Sequence, residues 1–360
     1  MKNLKINFKA KWLLIIINIT IINIAFTSNT MNIFIVTNYI ANKTIIDYEK
    51  ICNCKLMQTF YNEQADMLAK IIAGATGYDV VEATSYTVND LIKMDKLVKL
   101  DKSKLPNLKN TAPKFLNPIY DKNNIYSIPY AYTPVFLAYN EARLKELNIT
   151  PNSWAVIFDP KYLKKLKGHI IVFNSARNIF AAALLYLGKN PNSTNLTDID
   201  AAYNLISKAS SYWTKLDSDS YARALIRGDI WVTMAYSIDI YKLILDEQLN
   251  HLHGNIKGML QKEGNMYEMD NLVILKSTSN LDNAYKFLNL SLDKDQAYAL
   301  SLDTGSSIPN AEALKMIPES IKNTTWIYMP EKHKQYTFIA YNPNIRNLIN
   351  NLWLKIQMQC

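Results

Sequence analysis

Short apolar runs bounded by turn residues alternate along this chain with segments whose apolar residues recur every three to four positions. That alternation constrains the fold most, because it calls for an α/β sheet with crossover helices. Asn32 to Thr37 reads as a strand, followed by a helix around Ile40 to Glu49. Between Tyr61 and Ala73, the residues Ala65, Leu68, Ala69 and Ile72 fall at helical spacing, and Tyr78 to Ala83 is a strand set between Gly77 and Thr84-Ser85. This stretch is therefore expected to run strand, helix, helix, strand. The second half repeats the style without repeating the sequence. Gly168 opens a strand over Ile170 to Phe173, a helix begins near Ala176, and Asp198 to Ala209 is helical. Ile230 to Tyr236 and Asn271 to Leu275 read as buried strands, and Leu281 to Leu292 and Asp295 to Leu302 as successive helices. Near the C-terminus Ile345, Leu348, Ile349, Leu352, Trp353 and Ile356 form one helical stripe, whose ordinary role is packing. A chain of 360 residues, 49 % hydrophobic, can bury a sizeable core and suggests two domains rather than one.

The N-terminus reads as an export signal over residues 1–28. Lys2, Lys5, Lys9 and Lys11 precede an apolar run from Trp12 to Phe26, which is shorter than a comfortable membrane span. Ala25-Phe26-Thr27-Ser28 is a poor cleavage match, so an uncleaved anchor is the alternative, and no cysteine follows to carry a lipid. The formal charge of +9 includes those four lysines, and the remaining charges are interspersed without a basic stripe, so no nucleic-acid partner is expected. Cys52, Cys54 and Cys360 leave at least one thiol unpaired or paired between molecules. The single-residue spacing of Cys52 and Cys54 rarely gives bridge geometry, so all three are expected to be incidental. His251-x-His253 lacks a third ligand, so no metal site is expected there.

A set of short phrases runs in fixed order through the rest of the chain. Tyr78-Asp79-Val80-Val81 leads to Thr84-Ser85-Tyr86, then Asp101-Lys102-Ser103-Lys104-Leu105 and Tyr126-Ser127-Ile128-Pro129-Tyr130. Ser153-Trp154, Lys262-Glu263-Gly264 and Met269-Asp270-Asn271-Leu272 follow. Together, over about nine tenths of the chain, they resemble the bacterial periplasmic spermidine/putrescine-binding proteins, the solute receptors of polyamine ABC importers. The resemblance implies a type II periplasmic-binding-protein fold: two α/β lobes, each a mixed sheet flanked by helices, hinged around a ligand cleft. One lobe is placed at 31–138 plus 270–318 and the other at 139–269 plus 319–360, with hinge crossings near Ala138–Tyr139 and Met269–Asp270. It implies a monomer in the periplasm that binds a small cation, putrescine or spermidine, hands it to an inner-membrane ABC permease, and uses no cofactor.

Polyamine recognition needs aromatic faces for the methylene chain and carboxylates for the ammonium groups. On the family's pattern, the first cleft phrase is Val36-Thr37-Asn38-Tyr39, where Thr37 and Tyr39 match but Asn38 replaces a glutamate. Thr84 replaces a serine, and Tyr86 matches a cleft tyrosine. Tyr130 and Tyr132 fall in the Pro-Tyr phrase near the hinge. Tyr236 replaces a tryptophan, and Asp270 matches the aspartate that pairs a ligand amine. Ser175 and Asn178 stand where two ligand-pairing carboxylates are expected, Glu268 replaces a tryptophan, and Ser306 replaces a tyrosine. This pattern leaves a trication Asp270 and a second carboxylate at Glu268, so weak spermidine binding and a better fit for a smaller cation are expected. Ser175 and Asn178 are equally well read as ordinary helix-cap residues.

Other classes fall behind on the residues. No Ser-His-acid order, phosphate-cradling glycine loop or HExxH motif occurs, and neither Cys52 nor Cys54 lies in a cleft phrase, so an enzyme on the same architecture is not expected. A ferric-ion receptor would call for adjacent cleft tyrosines, and no Tyr-Tyr pair occurs. A same-fold receptor with a changed ligand and a membrane-tethered sensor are the remaining alternatives.

Overall fold

The computed structural model describes residues 29–61, 63–250 and 256–359, without the side chains of 245–250. The expected signal at 1–28, the His251-x-His253 pair and Cys360 lie outside the described residues. Among the described residues, no helix is long and apolar enough to cross a membrane.

The chain opens with strand β1 (Thr30–Val36), which buries Met31, Ile33, Phe34 and Ile35. Helix α1 (Asn42–Cys52) follows and turns through Asn53, which adopts a left-handed φ of 51°. The next element corrects the sequence reading. Lys55–Tyr61 is a strand, β2, paired in parallel with β1, so the order is strand, helix, strand, helix, strand. Only Leu56 and Tyr61 of β2 are buried, because it is the outer strand of the sheet. An edge strand with so little buried surface leaves no apolar run to read. Helix α2 (Gln64–Ile72) then begins three residues later than expected, and β3 (Val80–Thr84) feeds directly into α3 (Ser85–Lys93).

A second correction concerns the cysteines. Cys52 and Cys54 form a disulfide, with Cα atoms 5.1 Å apart. The left-handed turn at Asn53 folds the chain back between them, which an extended or helical backbone would not do.

The rest of the sheet is organised by two long strands, β4 (Ser127–Asn140) and β9 (Asn265–Ile274). Between them in sequence lie β5 (Ile170–Val172), β6 (Lys215–Leu216), β7 (Val232–Tyr236) and β8 (Ile256–Met259), and β10 (Gln335–Thr337) comes last. The strand order is β2-β1-β3-β9-β4-β7-β5-β6, with β8 on β4 and β10 on β9. β4 pairs with β9 as far as Pro134, then with β7 and β8 from Val135 and Leu137 onward. Thus β4 passes between sheets near Pro134–Val135, four residues ahead of the expected crossing.

The helices expected at Ala176, Asp198, Leu281 and Asp295 occur as Ala176–Tyr186, Leu196–Ser210, Leu281–Ser291 and Lys294–Thr304. The C-terminal helix Pro343–Gln357 buries Ile345, Ile349, Trp353 and Ile356, the expected stripe. Several of the ordered phrases prove to hold the fold together. Ser153 donates to Glu263 at 2.5 Å, and the indole of Trp154, 1 % exposed, donates to the Gly264 carbonyl at 2.9 Å. Asp101 caps its own turn by accepting from the Ser103 amide.

Candidate functional site

The carboxyl ends of β1, β3, β5 and β7 and the middle of β9 converge on one cleft, where open α/β sheets place their ligands. Its volume is about 210 Å³. β1 runs out into Val36, Thr37 and Tyr39, β3 supplies Glu82, and the first turn of α3 supplies Tyr86. Beyond β5 come Ser175 and Asn178, and at the end of β7 come Tyr236 and then Asp239. Alternation along β9 puts Glu268 and Asp270 on one face.

Of the residues singled out in the sequence, the structure brings Thr37, Tyr39, Tyr86, Ser175, Asn178, Tyr236, Glu268 and Asp270 to this cleft. It does not bring three others. Asn38 occupies an exposed left-handed turn with a φ of 58°. Thr84 is buried beneath the wall with its hydroxyl bonded to Thr87 at 3.1 Å. Ser306 is fully buried and bonds Thr304 at 2.7 Å. Tyr130 also points away, donating to the Tyr39 carbonyl at 2.7 Å, where it braces the cleft tyrosine.

The sequence reading undercounted the acids. Glu63, Glu82, Asp219 and Asp239 also line the cleft, so among the described residues six carboxyl groups face it, with no lysine or arginine on its walls. Glu82 is the least expected: it sits in the middle of β3, fully buried, and accepts from Tyr61 and from Gln64. Tyr61 closes β2, the strand the sequence had not marked, and Gln64 opens α2. The remaining signal was a single charged residue inside the apolar run Val80 to Ala83, where a strand core tolerates charge only with partners.

The acids perturb one another. Asp270, 5 % exposed, accepts from the Tyr39 hydroxyl at 2.5 Å. Burial raises its carboxyl well above the ordinary range, and the negative charges of Glu82 and Glu268 add to the rise. Burial likewise raises Glu82. Asp270 and Glu82 act on each other, each like charge favouring the protonated form of the other. Glu268 is raised by burial although Tyr236 at 3.0 Å and Asn178 at 3.4 Å donate to it. Glu63 lies at the rim with its carboxyl turned to the cleft, where loss of hydration and the charges of Glu268, Asp219 and Asp66 push it up to about 7. Burial holds Asp239 high too, against the stabilising donation of Tyr221 at 2.5 Å.

Aromatic faces complete the walls. Tyr236 stacks on Phe173 with ring centres 4.5 Å apart, and Tyr86 meets Phe338 edge-on at 6.4 Å. Ser175 caps the helix Ala176–Tyr186, and Asn178 uses its amide nitrogen on Ser175, Tyr236 and Glu268. The Asn178 carbonyl oxygen is buried without a partner among the described residues, which leaves an acceptor available in the cleft. Among the described residues, no three His, Cys, Asp or Glu side chains are grouped so as to hold a metal ion. Carboxylates, acceptor oxygens and ring faces gathered in one cleft make a site for an organic cation.

The fold and this cleft define a solute-binding receptor. The family described as bacterial extracellular solute-binding protein matches residues 55–326. The chain is 38 % identical over 325 residues to the putrescine/cadaverine-binding protein of Pseudomonas aeruginosa, covering 89 % of this chain and 92 % of that one. It is 30 % identical over 340 residues to the putrescine-binding periplasmic protein SpuD of the same species, covering 92 % of each. The crystal structure of the spermidine/putrescine ABC transporter substrate-binding protein PotD from Streptococcus pneumoniae superposes with a TM-score of 0.78. That match has 24 % identity, covers 92 % of this chain and 99 % of that one, and speaks for the fold. The chain belongs to the bacterial extracellular solute-binding protein family, as the ordered phrases implied. It is a family of substrate-binding receptors with the type II binding-protein fold.

Proposed function

We propose that the protein captures a polyamine in this cleft, as a monomer in the periplasm, and delivers it to an inner-membrane ABC permease. One observation carries the reading: among the described residues, six carboxyl groups and four tyrosines line a cleft whose walls hold no lysine or arginine. In this reading Asp270 and Glu82 take one ammonium group, and Glu268 with the free oxygen of Asn178 takes the other. The methylene chain lies against Tyr86 and Tyr236. Diamines fit best, since the cleft is small and a relative 38 % identical is named for putrescine and cadaverine. Six acids in place of two remove the charge argument against spermidine, so size rather than charge sets the discrimination.

The lobes in this reading are 31–138 with 270–318 and 139–269 with 319–360. The change of partner on β4 at Pro134–Val135 favours a hinge there. An amine bridging the lobes favours closure by its differential affinity for the closed state. Calorimetric titration with putrescine, spermidine and a neutral diol tests the proposal. Putrescine should bind and the diol should not, and Asp270→Asn should weaken putrescine by about 2–5 kcal/mol. Absence of amine binding, or an Asp270→Asn variant that binds as well as the parent, would refute it.

A further inference from the structure

A second chamber opens beside the cleft and differs from it in chemistry. Its volume is about 370 Å³, and it shares Glu63, Gln64, Tyr86 and Ser175 with the acidic cleft, so the two adjoin. Its far walls come from α2, α3, the start of the helix Ala176–Tyr186 and the C-terminal helix, including Leu68, Arg177, Tyr341, Arg346 and Trp353. Where the cleft has no basic residue, the chamber has two.

The two arginines are not equivalent. Arg346 is committed to Asp90, with an ion pair at 2.9 Å that ties the C-terminal helix to α3. Arg177 makes its hydrogen bonds to uncharged groups, donating to Asn192 at 2.7 Å and to the Ile339 carbonyl, and stacks 3.8 Å above the ring of Tyr341, while the charge of Glu268 acts on it from the cleft. Its Nε is buried with no partner. Tyr341 is 8 % exposed, and its hydroxyl is likewise buried with no partner. Two adjacent buried donors lacking an acceptor cost stability unless something else supplies one.

We propose that this chamber receives the far end of an amine ligand that carries a carbonyl oxygen, held by the Arg177 Nε–H and the Tyr341 hydroxyl. The receptor therefore accepts N-acylated amines, with the free ammonium in the acidic cleft and the acyl group past Tyr86, against Leu68 and Trp353. This rests on the polyamine reading of the cleft and extends it to a further ligand class.

Tyr341→Phe is the discriminating variant, because it removes a hydroxyl that no protein group uses. Titrations of the parent and the variant with putrescine, N-acetylputrescine and N8-acetylspermidine give the comparison, the two acetylated amines sampling two lengths. The variant should weaken at least one acetylated amine about three- to tenfold, the effect of one lost hydrogen bond, and leave putrescine within about twofold. Hydrogen exchange of the parent supplies a second readout that needs no variant: an acetylated amine should protect residues 339–353 more than putrescine does. Equal effects of Tyr341→Phe on all three ligands, or equal protection, would overturn the chamber and leave the polyamine reading standing. Absence of binding by all three amines would overturn both.

Discussion

Amine binding by this protein should be linked to proton release. Burial raises Asp270, Glu82, Glu268 and Glu63, and the charges of neighbouring acids add to the rise at Asp270, Glu82 and Glu63, which favours the protonated forms in the absence of a cation. An alkylammonium keeps its charge up to roughly pH 10, so between pH 5.5 and 7.5 only the protein titrates. Glu63, at about 7 instead of 4.5, sets the scale. A carboxyl of that value is about three-quarters ionised at pH 7.5 and about 3 % ionised at pH 5.5. If the ligand binds only the ionised form, affinity drops by at most about 25-fold per such group over that interval, with solvent screening at the rim reducing the figure for Glu63.

The stability of the ligand-free protein should move in the opposite sense. A raised carboxyl keeps its proton in the folded state at pH values where the unfolded chain has released it, so stability falls as pH rises from the unfolded value through the folded one. Putrescine should offset that loss, giving a thermal shift that grows between pH 5.5 and 7.5. Calorimetry in two buffers of different ionisation heat counts the protons released directly. Glu82→Gln removes one of the raised carboxyls beside Asp270 and should flatten the pH dependence while weakening binding. Affinity constant within twofold across the interval, with no buffer dependence of the heat, would refute the reasoning.

Two further outcomes follow from the architecture. Replacing both Cys52 and Cys54 by serine should cost only about 1–2 kcal/mol, because the bridge closes a very short loop, and should leave putrescine affinity unchanged; denaturant melts and titration check both. Trp154→Ala should lower stability by about 3–5 kcal/mol through a lost core ring and an orphaned Gly264 carbonyl, read as a reduced melting midpoint without a change in ligand preference.

Local sequence determined the helices with apolar stripes and the strands with buried runs, since periodicity records which face meets the core. The C-terminal stripe from Ile345 to Ile356 and the run Ile170 to Phe173 are such cases. Ordered phrases also singled out Tyr86 and Asp270, and the family's pattern around them Tyr236 and Glu268, because those residues sit at the ends of, or inside, recognisable elements. Tertiary structure alone decided three matters. β2 is visible only by its pairing with β1, since an edge strand buries too few side chains to leave a pattern. The Cys52–Cys54 bridge depends on one left-handed residue between the cysteines, a backbone choice that spacing does not encode. The charge of the cleft depends on strand order: β3 lies against β9, so Thr84 faces Asp270 across a long sequence separation and carries Glu82 into the same acidic cluster. Periodicity reports whether a residue is inside or outside, whereas which buried carboxyls become neighbours is set by how the sheet is assembled.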